Sequence, residues 1–151
     1  MYQLETEVFL PVSGGADKIY DTFIKFKNEN KIKNIGIVTT NLDTAKKAVM
    51  SDLYDTIQFP FSMLSSEETV ELVKMSEEHD VGFIAMQPLC GGLVENIPLA
   101  FGFLHQFESV IPIWGVKTQE EFEQIMYFHQ HPPVIDDKFH EDVEKIRMFF
   151  N

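Results

Sequence analysis

Short apolar runs alternate with longer amphipathic segments along this chain, and the alternation repeats five times. Such a rhythm is typical of βα units, in which a strand of a parallel sheet is followed by a helix that covers the sheet. The pattern predicts a single α/β domain with about five parallel units and a terminal helix. The units are predicted at 7–30, 34–50, 55–79, 81–107 and 110–130, and the terminal helix at 136–149.

Local signals place elements inside these units. The first unit is predicted to hold a strand at 8–12, a turn at 13–15 and a helix at 17–30, whose apolar residues fall on one face. In the second unit Asn41 is predicted to cap a helix, because its side chain can accept a backbone N–H of the first turn. The run at 81–86 is apolar throughout, as expected of a strand buried on both faces of a parallel sheet.

Length and charge exclude several classes of function. The 151 residues are too few for a complete eight-stranded barrel, which needs roughly 250. The formal charge is −12 and no basic cluster is present, so nucleic acids and anionic membrane surfaces are excluded as partners. No apolar run approaches the ~20 residues of a membrane span. The N-terminus has no signal-peptide pattern and the chain has one cysteine, which predicts a cytoplasmic protein.

Two adjacent glycines, Gly91 and Gly92, follow the fourth predicted strand. In parallel α/β folds the loops after the strands build the functional site. Glycines there allow positive φ angles and let backbone N–H groups approach an anion such as a pyrophosphate. A tight turn between strand and helix would explain the same pair.

Three other polar residues are candidates for ligand binding. Gln58 interrupts an apolar strand, where a buried amide needs partners that either a ligand or neighbouring side chains could supply. Lys117 and Thr118 follow the last strand and offer a cation and a hydroxyl at a helix start. That pair suits a terminal phosphate, although a capped and solvated helix start has the same sequence.

The remaining reactive side chains favour structural roles. Cys90 has no histidine near it in sequence, so a small packed thiol is favoured over a nucleophile. His129 and His131 flank a helix end with a spacing that no recognised metal site uses. We therefore predict no metal site.

Four strand-end motifs and the tail carry a resemblance to the aldo/keto reductase family, over about residues 7–147. The tail at 131–147 is similar to the closing segment of the subgroup that continues into an iron–sulfur domain. The motifs resemble the family's fifth to eighth strands, in order, and they are KIKNIGI (31–37), DTIQFPFS (55–62), GFIAMQPLCGGL (82–93) and VIPIWGVKT (110–118).

The resemblance implies a fold, a cofactor and a set of residues to bind it. The fold would be a five-unit piece of a (β/α)8 TIM-type barrel, and the cofactor would be NADPH. The glutamine of the third strand would hold the nicotinamide carboxamide, the Met-Gln pair would lie at the ring, the loop would bind pyrophosphate and the Lys-Thr pair would face the adenosine phosphate. These cofactor residues are Gln58, Met86, Gln87, Leu89, Cys90, Gly91, Gly92, Lys117 and Thr118.

The departures from the family concern the catalytic residues. The family's catalytic Asp, Tyr and Lys lie on its second and third strands, for which this chain has no sequence, and its histidine would align near Val12. The family's Ser-Asn after the fifth strand is replaced by Val38 and Thr39. Glu121 stands where the family often has a basic residue, and a carboxylate there would repel a cofactor phosphate. No catalytic residue is therefore assigned.

Two functional hypotheses follow. In the first, the chain is the C-terminal half of an NAD(P)H-dependent oxidoreductase and is inactive alone. In the second, it is a non-catalytic binding or regulatory half-barrel. A slice of a barrel leaves open sheet edges and an apolar face. We therefore expect a homodimer, a complementary N-terminal half-barrel chain, or the terminal helix at 136–149 as the cover.

Overall fold

A parallel sheet of five strands, in the order β1-β2-β3-β4-β5, organises the chain in the computed structural model, which describes residues 1–11 and 18–150. Each strand is followed by a helix, as the alternation of apolar runs predicts. The elements are β1 (Tyr2–Glu5), α1 (Lys18–Asn28), β2 (Ile35–Val38), α2 (Leu42–Met50), β3 (Thr56–Pro60), α3 (Glu67–Glu78), β4 (Gly82–Met86), α4 (Ile97–His105), β5 (Val110–Pro112), α5 (Gln119–Gln130) and α6 (Asp137–Phe150).

The prediction of a first strand at 8–12 is wrong over its described part. The strand is β1, which pairs in parallel with β2 through Tyr2 opposite Ile35. Val8 cannot extend it, because the Thr6 hydroxyl donates to the Val8 carbonyl at 2.9 Å and accepts the Val8 N–H at 3.1 Å, in a local turn. The predicted turn at 13–15 lies outside the described residues.

The described residues pack as two compact units, and the first comprises 1–59 and 68–84. Its core includes the fully buried side chains of Ile35, Ile37 and Ile57 on β2 and β3. The carboxylate of Asp55 accepts the Ile35 N–H at 2.7 Å, and the Asp55 N–H donates to the Ile35 carbonyl at 2.8 Å. The predicted cap of α2 is confirmed, since the Asn41 side chain accepts the Thr44 N–H at 3.0 Å.

The second packing unit comprises 60–67 and 85–151. Helix α6 lies against α4, where Gly102 leaves room for the buried ring of Phe139. Arg147 of α6 donates from Nε to the Met63 carbonyl at 2.7 Å, and its guanidinium lies over the Phe103 ring. The predicted terminal helix is thus confirmed, and it packs within this unit.

Candidate functional site

The loop after β4 has an unusual backbone conformation. The φ angles of Gly91 and Gly92 are +70° and +100°, and Gln87 and Cys90 also have positive φ angles. L-residues rarely adopt this left-handed region, whereas glycine enters it without a steric penalty. The loop between the end of β4 at Met86 and the start of α4 therefore places four residues in this region, and glycine adopts it without strain at two of them.

Backbone hydrogen bonds hold this loop in shape, and open space faces its two glycines. The N–H groups of Cys90 and Gly92 donate to the carbonyls of Gln87 and Leu89, at 2.8 and 2.9 Å. A Cβ atom built at Gly91 or Gly92 would meet nothing within 4 Å, so open space faces both glycines. The space beside the glycines leaves room for a group from outside the chain.

A cavity of about 330 Å³ lies against this loop. Both the predicted pyrophosphate loop and Lys117, the predicted phosphate-facing lysine after β5, line this cavity. Five of the nine residues predicted to bind the cofactor line this cavity. The residues that line it are Gln87, Pro88, Leu89, Gly91, Gly92, Gly115, Lys117 and Glu121.

The first turn of α5 forms one wall of the cavity. Thr118 caps this helix, since its hydroxyl accepts the Glu121 N–H at 3.2 Å. The Glu121 carboxylate accepts the Lys117 N–H at 2.6 Å. The N-terminal end of a helix attracts negative charge, and here a side chain of the protein itself supplies it. The neighbouring Glu120 has a lowered pKa, because its own backbone N–H and the Thr118 hydroxyl donate to its carboxylate.

The other predicted cofactor residues lie elsewhere. Cys90 is half-buried, and its Sγ lies 3.3 Å from Ser62 Oγ, as expected of a packed thiol. Met86 ends β4, where its carbonyl accepts the Phe61 N–H at 3.0 Å. Gln58 belongs to the first packing unit, where it is half-buried in β3 and its carbonyl accepts the Thr39 N–H at 3.1 Å.

A hydrogen-bonded carboxylate in the first packing unit, that of Glu7, was not predicted from the sequence. Glu7, just beyond β1, accepts the Thr39 hydroxyl at 2.9 Å and both the N–H and the hydroxyl of Thr40 at 3.0 Å. The pKa of Glu7 is lowered, chiefly because the Thr40 N–H donates to its carboxylate. Placing the first strand at 8–12 hid this residue, which becomes a strand-end side chain only once β1 ends at Glu5.

His131, which follows α5, has a local role. A ring nitrogen of His131 lies 3.2 Å from the Tyr127 carbonyl, and the two rings stack. Within 1–11 and 18–150, no three His, Cys, Asp or Glu side chains lie close enough together to hold a metal ion. In the same ranges no helix has the length and apolar character to cross a membrane.

Comparison with known proteins identifies the family. The model of the aldo/keto reductase family matches residues 6–99, which is more than half of the chain. The chain belongs to the aldo/keto reductase family. No curated protein matches it significantly. The match spans the loop after β4, so the glycine pair belongs to the aldo/keto reductase part of the sequence.

Solved aldo-keto reductases share the fold. The holo form of an aldo-keto reductase from Bacillus halodurans is 17% identical, with a TM-score of 0.69 over 96% of this chain and 59% of that chain. An aldo/keto reductase from Brucella melitensis is 18% identical, with a TM-score of 0.65 over 96% of this chain and 60% of that chain. The chain thus spans about 60% of the length of these structures. The prediction of a partial TIM-type barrel is confirmed.

Proposed function

We propose that this chain supplies the cofactor-binding part of an NAD(P)H-dependent oxidoreductase of the aldo/keto reductase family. The observation that supports it is the cavity of about 330 Å³, in which Gly91, Gly92 and Lys117 come together. These residues were selected from the sequence for their resemblance to a pyrophosphate loop and a phosphate-facing lysine. Parallel strands bring the loops that follow them to one edge of the sheet, and these two loops line the same cavity.

The chemistry of the cavity fits a pyrophosphate group. The Gly91 N–H can donate to a phosphate oxygen, and the open space at both glycines leaves room for it. Lys117 adds a positive charge in the same cavity. The cofactor would supply the hydride, and this chain would bind and orient it. By resemblance, Gln58 would hold the nicotinamide carboxamide and Met86 would lie beside the ring.

Reduction of a carbonyl also needs a proton donor, and we propose that it comes from another polypeptide segment. Of the four tyrosines, Tyr20 and Tyr54 donate their hydroxyl protons to the carbonyls of Leu53 and Leu10. Burial raises the pKa of Tyr20, which makes its phenol a poorer acid. A complementary N-terminal half-barrel chain is therefore our preferred partner, with a homodimer as the alternative. The cytoplasmic location and the iron–sulfur subgroup stay predictions.

A non-catalytic binding module is the second candidate, and Glu121 favours it. Its carboxylate shares the cavity with Lys117 and offsets the positive charge that a phosphate would meet. A half-barrel that had lost nucleotide binding would tolerate an acidic residue there. Under this hypothesis the chain acts through a protein partner alone.

A nucleotide titration decides between these functions. NADPH and NADH are titrated separately into the purified chain while nucleotide fluorescence is followed, with Gly91→Val and Lys117→Glu as test variants. Lys138→Glu is the matched control, because it makes the same charge reversal on α6, outside the cavity. Binding that both test variants weaken and the control leaves unchanged supports the proposal. No binding of either nucleotide at millimolar concentration overturns it in favour of the non-catalytic module.

A second experiment tests the need for a partner. The chain is mixed with the N-terminal half of a complete aldo/keto reductase, and the oxidation of NADPH by an aldehyde is measured. We expect no turnover from the chain alone and measurable turnover from the mixture. Turnover by the chain alone would show that the proton donor lies within it.

A further inference from the structure

A larger cavity, of about 610 Å³, lies among α4, β5 and α5. It shares no residue with the cavity at the glycine loop. Its floor is aromatic and aliphatic, and includes Phe101, Leu104 and Val110, all of which are buried. Trp114 lines it as well and stacks on Phe101, with ring centroids 5.6 Å apart and an interplanar angle of 10°. We refer to this second cavity as the aromatic cavity.

The aromatic cavity has the size and the lining of a small-molecule site. Helix α5 has no buried side chain, although Ile125 and Met126 face the cavity. Protein interiors are otherwise packed as densely as organic crystals, and voids larger than a water molecule are few. Small-molecule sites enclose roughly 300–1,000 Å³ and have apolar walls with a few polar groups. At about 610 Å³ the aromatic cavity is far larger than a packing void, and its size and apolar lining fit a small-molecule site.

The polar groups at the mouth of the cavity indicate the chemistry of a suitable ligand. His105, Glu108 and His129 line the cavity and are solvent-exposed. A hydroxyl group can donate to the Glu108 carboxylate and accept from an imidazole N–H. A carboxylate or sulfonate would instead face Glu108 and a chain with a net charge of −12. A neutral hydroxyl group on a flat ring matches both the mouth and the floor.

We propose that the aromatic cavity is a binding site for a neutral aromatic alcohol. The ring lies against the Trp114 and Phe101 side of the cavity, and the hydroxyl group reaches Glu108 and the histidines. This site is separate from the proposed cofactor cavity, so it does not depend on nucleotide binding.

The probes are 2-naphthol and 2-naphthoate, which have the same ring system and differ in charge. Binding is measured by calorimetry and by the indole N–H resonance of Trp114, which is the one tryptophan of the chain. We expect 2-naphthol to bind one to one and to shift this resonance. We expect 2-naphthoate to bind at least about tenfold more weakly than 2-naphthol, because one unfavourable charge contact lowers affinity by about that factor.

Two pairs of variants locate the site. Ile125→Phe fills the cavity and should abolish binding, whereas Ile113→Phe makes the same change on a half-exposed residue outside the cavity and should not. Glu108→Gln should reduce the difference in affinity between the two probes. Glu123→Gln, on α5 and outside the cavity, should preserve that difference. Dispersed amide spectra confirm that each variant folds.

Three results would overturn the proposal. The first is no heat and no indole shift with millimolar 2-naphthol, and the second is equal affinity of the Ile125→Phe variant and the original chain. The third is an indole resonance that moves on dilution without probe, together with a dimer in sedimentation. That result would show that a second copy of the chain covers the cavity. Unchanged 2-naphthol binding in saturating NADPH would confirm that the two cavities are independent.

Discussion

The carboxylate of Glu121 accepts the backbone N–H of Lys117 at 2.6 Å, on the wall of the proposed cofactor cavity. The contact places a negative charge at the N-terminal end of α5, where an anionic ligand would otherwise be attracted. A bound phosphate and this carboxylate compete for the same positive potential. Glu121 is therefore expected to weaken nucleotide binding rather than to support it.

Replacing Glu121 by glutamine should raise the affinity for NADPH. The change removes the charge and keeps the size of the side chain, and we expect Kd to fall by about two- to fivefold, as for one charge near a helix end. Fluorescence titration measures it. Glu120→Gln removes the same charge one residue earlier, from a side chain that does not line the cavity, and should have a smaller effect. An unchanged or higher Kd for Glu121→Gln would contradict the proposed competition between Glu121 and the phosphate.

Most elements of the fold are predictable because their signals are local. The apolar runs of β2 to β5 and the cap residue Asn41 act within a few positions of the elements that they define. Strand β1 was missed because its side chains are exposed or half-buried and lack a strong apolar pattern. Its existence depends on pairing with β2, more than thirty residues away, and no local window contains that information.

In the candidate site, too, some residues can be predicted from local sequence and others depend on distant parts of the fold. The glycine pair and Lys117 can be selected from strand-end loops, because parallel strands bring those loops to one edge. The hydrogen bonds of Glu7 depend on where β1 ends, which its sequence left open. The aromatic cavity depends on how closely α5 approaches α4, and a hydrophobic pattern specifies which face is buried but not how completely it is filled.

Two substitutions of Gly91 distinguish the effect of backbone strain on stability from the effect of a filled cavity on nucleotide affinity. Gly91→Val places a β-branched residue at φ +70° and should lower the free energy of unfolding by about 1–2 kcal/mol. Gly91→Asn should cost only a few tenths of a kcal/mol, because asparagine tolerates this conformation, as Asn30 does at φ +57°. Both side chains enter the open space, so both variants should lose nucleotide affinity. Urea unfolding and nucleotide titration measure the two effects.

The two Gly91 variants have a clear contrary outcome. If Gly91→Asn kept the nucleotide affinity of the original chain, the open space above this glycine would not be the binding space. The loop would then be a tight turn alone.

Asp55 should make the fold acid-sensitive. Burial by itself raises the pKa of Asp55, but the Ile35 N–H and Lys27, whose Nζ lies 3.1 Å away, outweigh it, so the folded pKa lies below the ordinary value of 3.8. A depressed pKa contributes stability above the unfolded pKa, and this contribution is lost as the pH falls through the folded pKa. Asp55→Asn should therefore be less stable at neutral pH, by on the order of 1 kcal/mol.

The pH dependence distinguishes this charge effect from a packing defect. The difference between Asp55→Asn and the original chain should shrink as the pH is lowered through the acidic range, as measured by urea unfolding at each pH. Asp52→Asn is the control, because Asp52 is exposed and bonds neither Ile35 nor Lys27. A difference that stays constant with pH would refute the charge argument.

Gly102 on α4 tests the packing of α6. A Cβ atom there would lie 2.6 Å from Cε2 of Phe139, a contact that real side chains do not show. Helix propensity alone favours alanine over glycine by about 1 kcal/mol, whereas overpacking of a buried ring costs about 1–3 kcal/mol. Because Phe139 is only 5% exposed and cannot swing into solvent, we expect the clash to prevail and Gly102→Ala to be less stable.

A double-mutant cycle shows whether the loss of stability in Gly102→Ala comes from this contact. Phe139→Leu removes the ring atoms that the new methyl group would meet, so Gly102→Ala should cost less in that background than in the original chain. Gly115→Ala is the control for a glycine in open space and should leave the free energy of unfolding nearly unchanged. Equal costs of Gly102→Ala in both backgrounds would mean that α6 does not restrain α4 through Phe139. Thermal and urea unfolding of the four chains of the cycle, with the control beside them, measure the coupling.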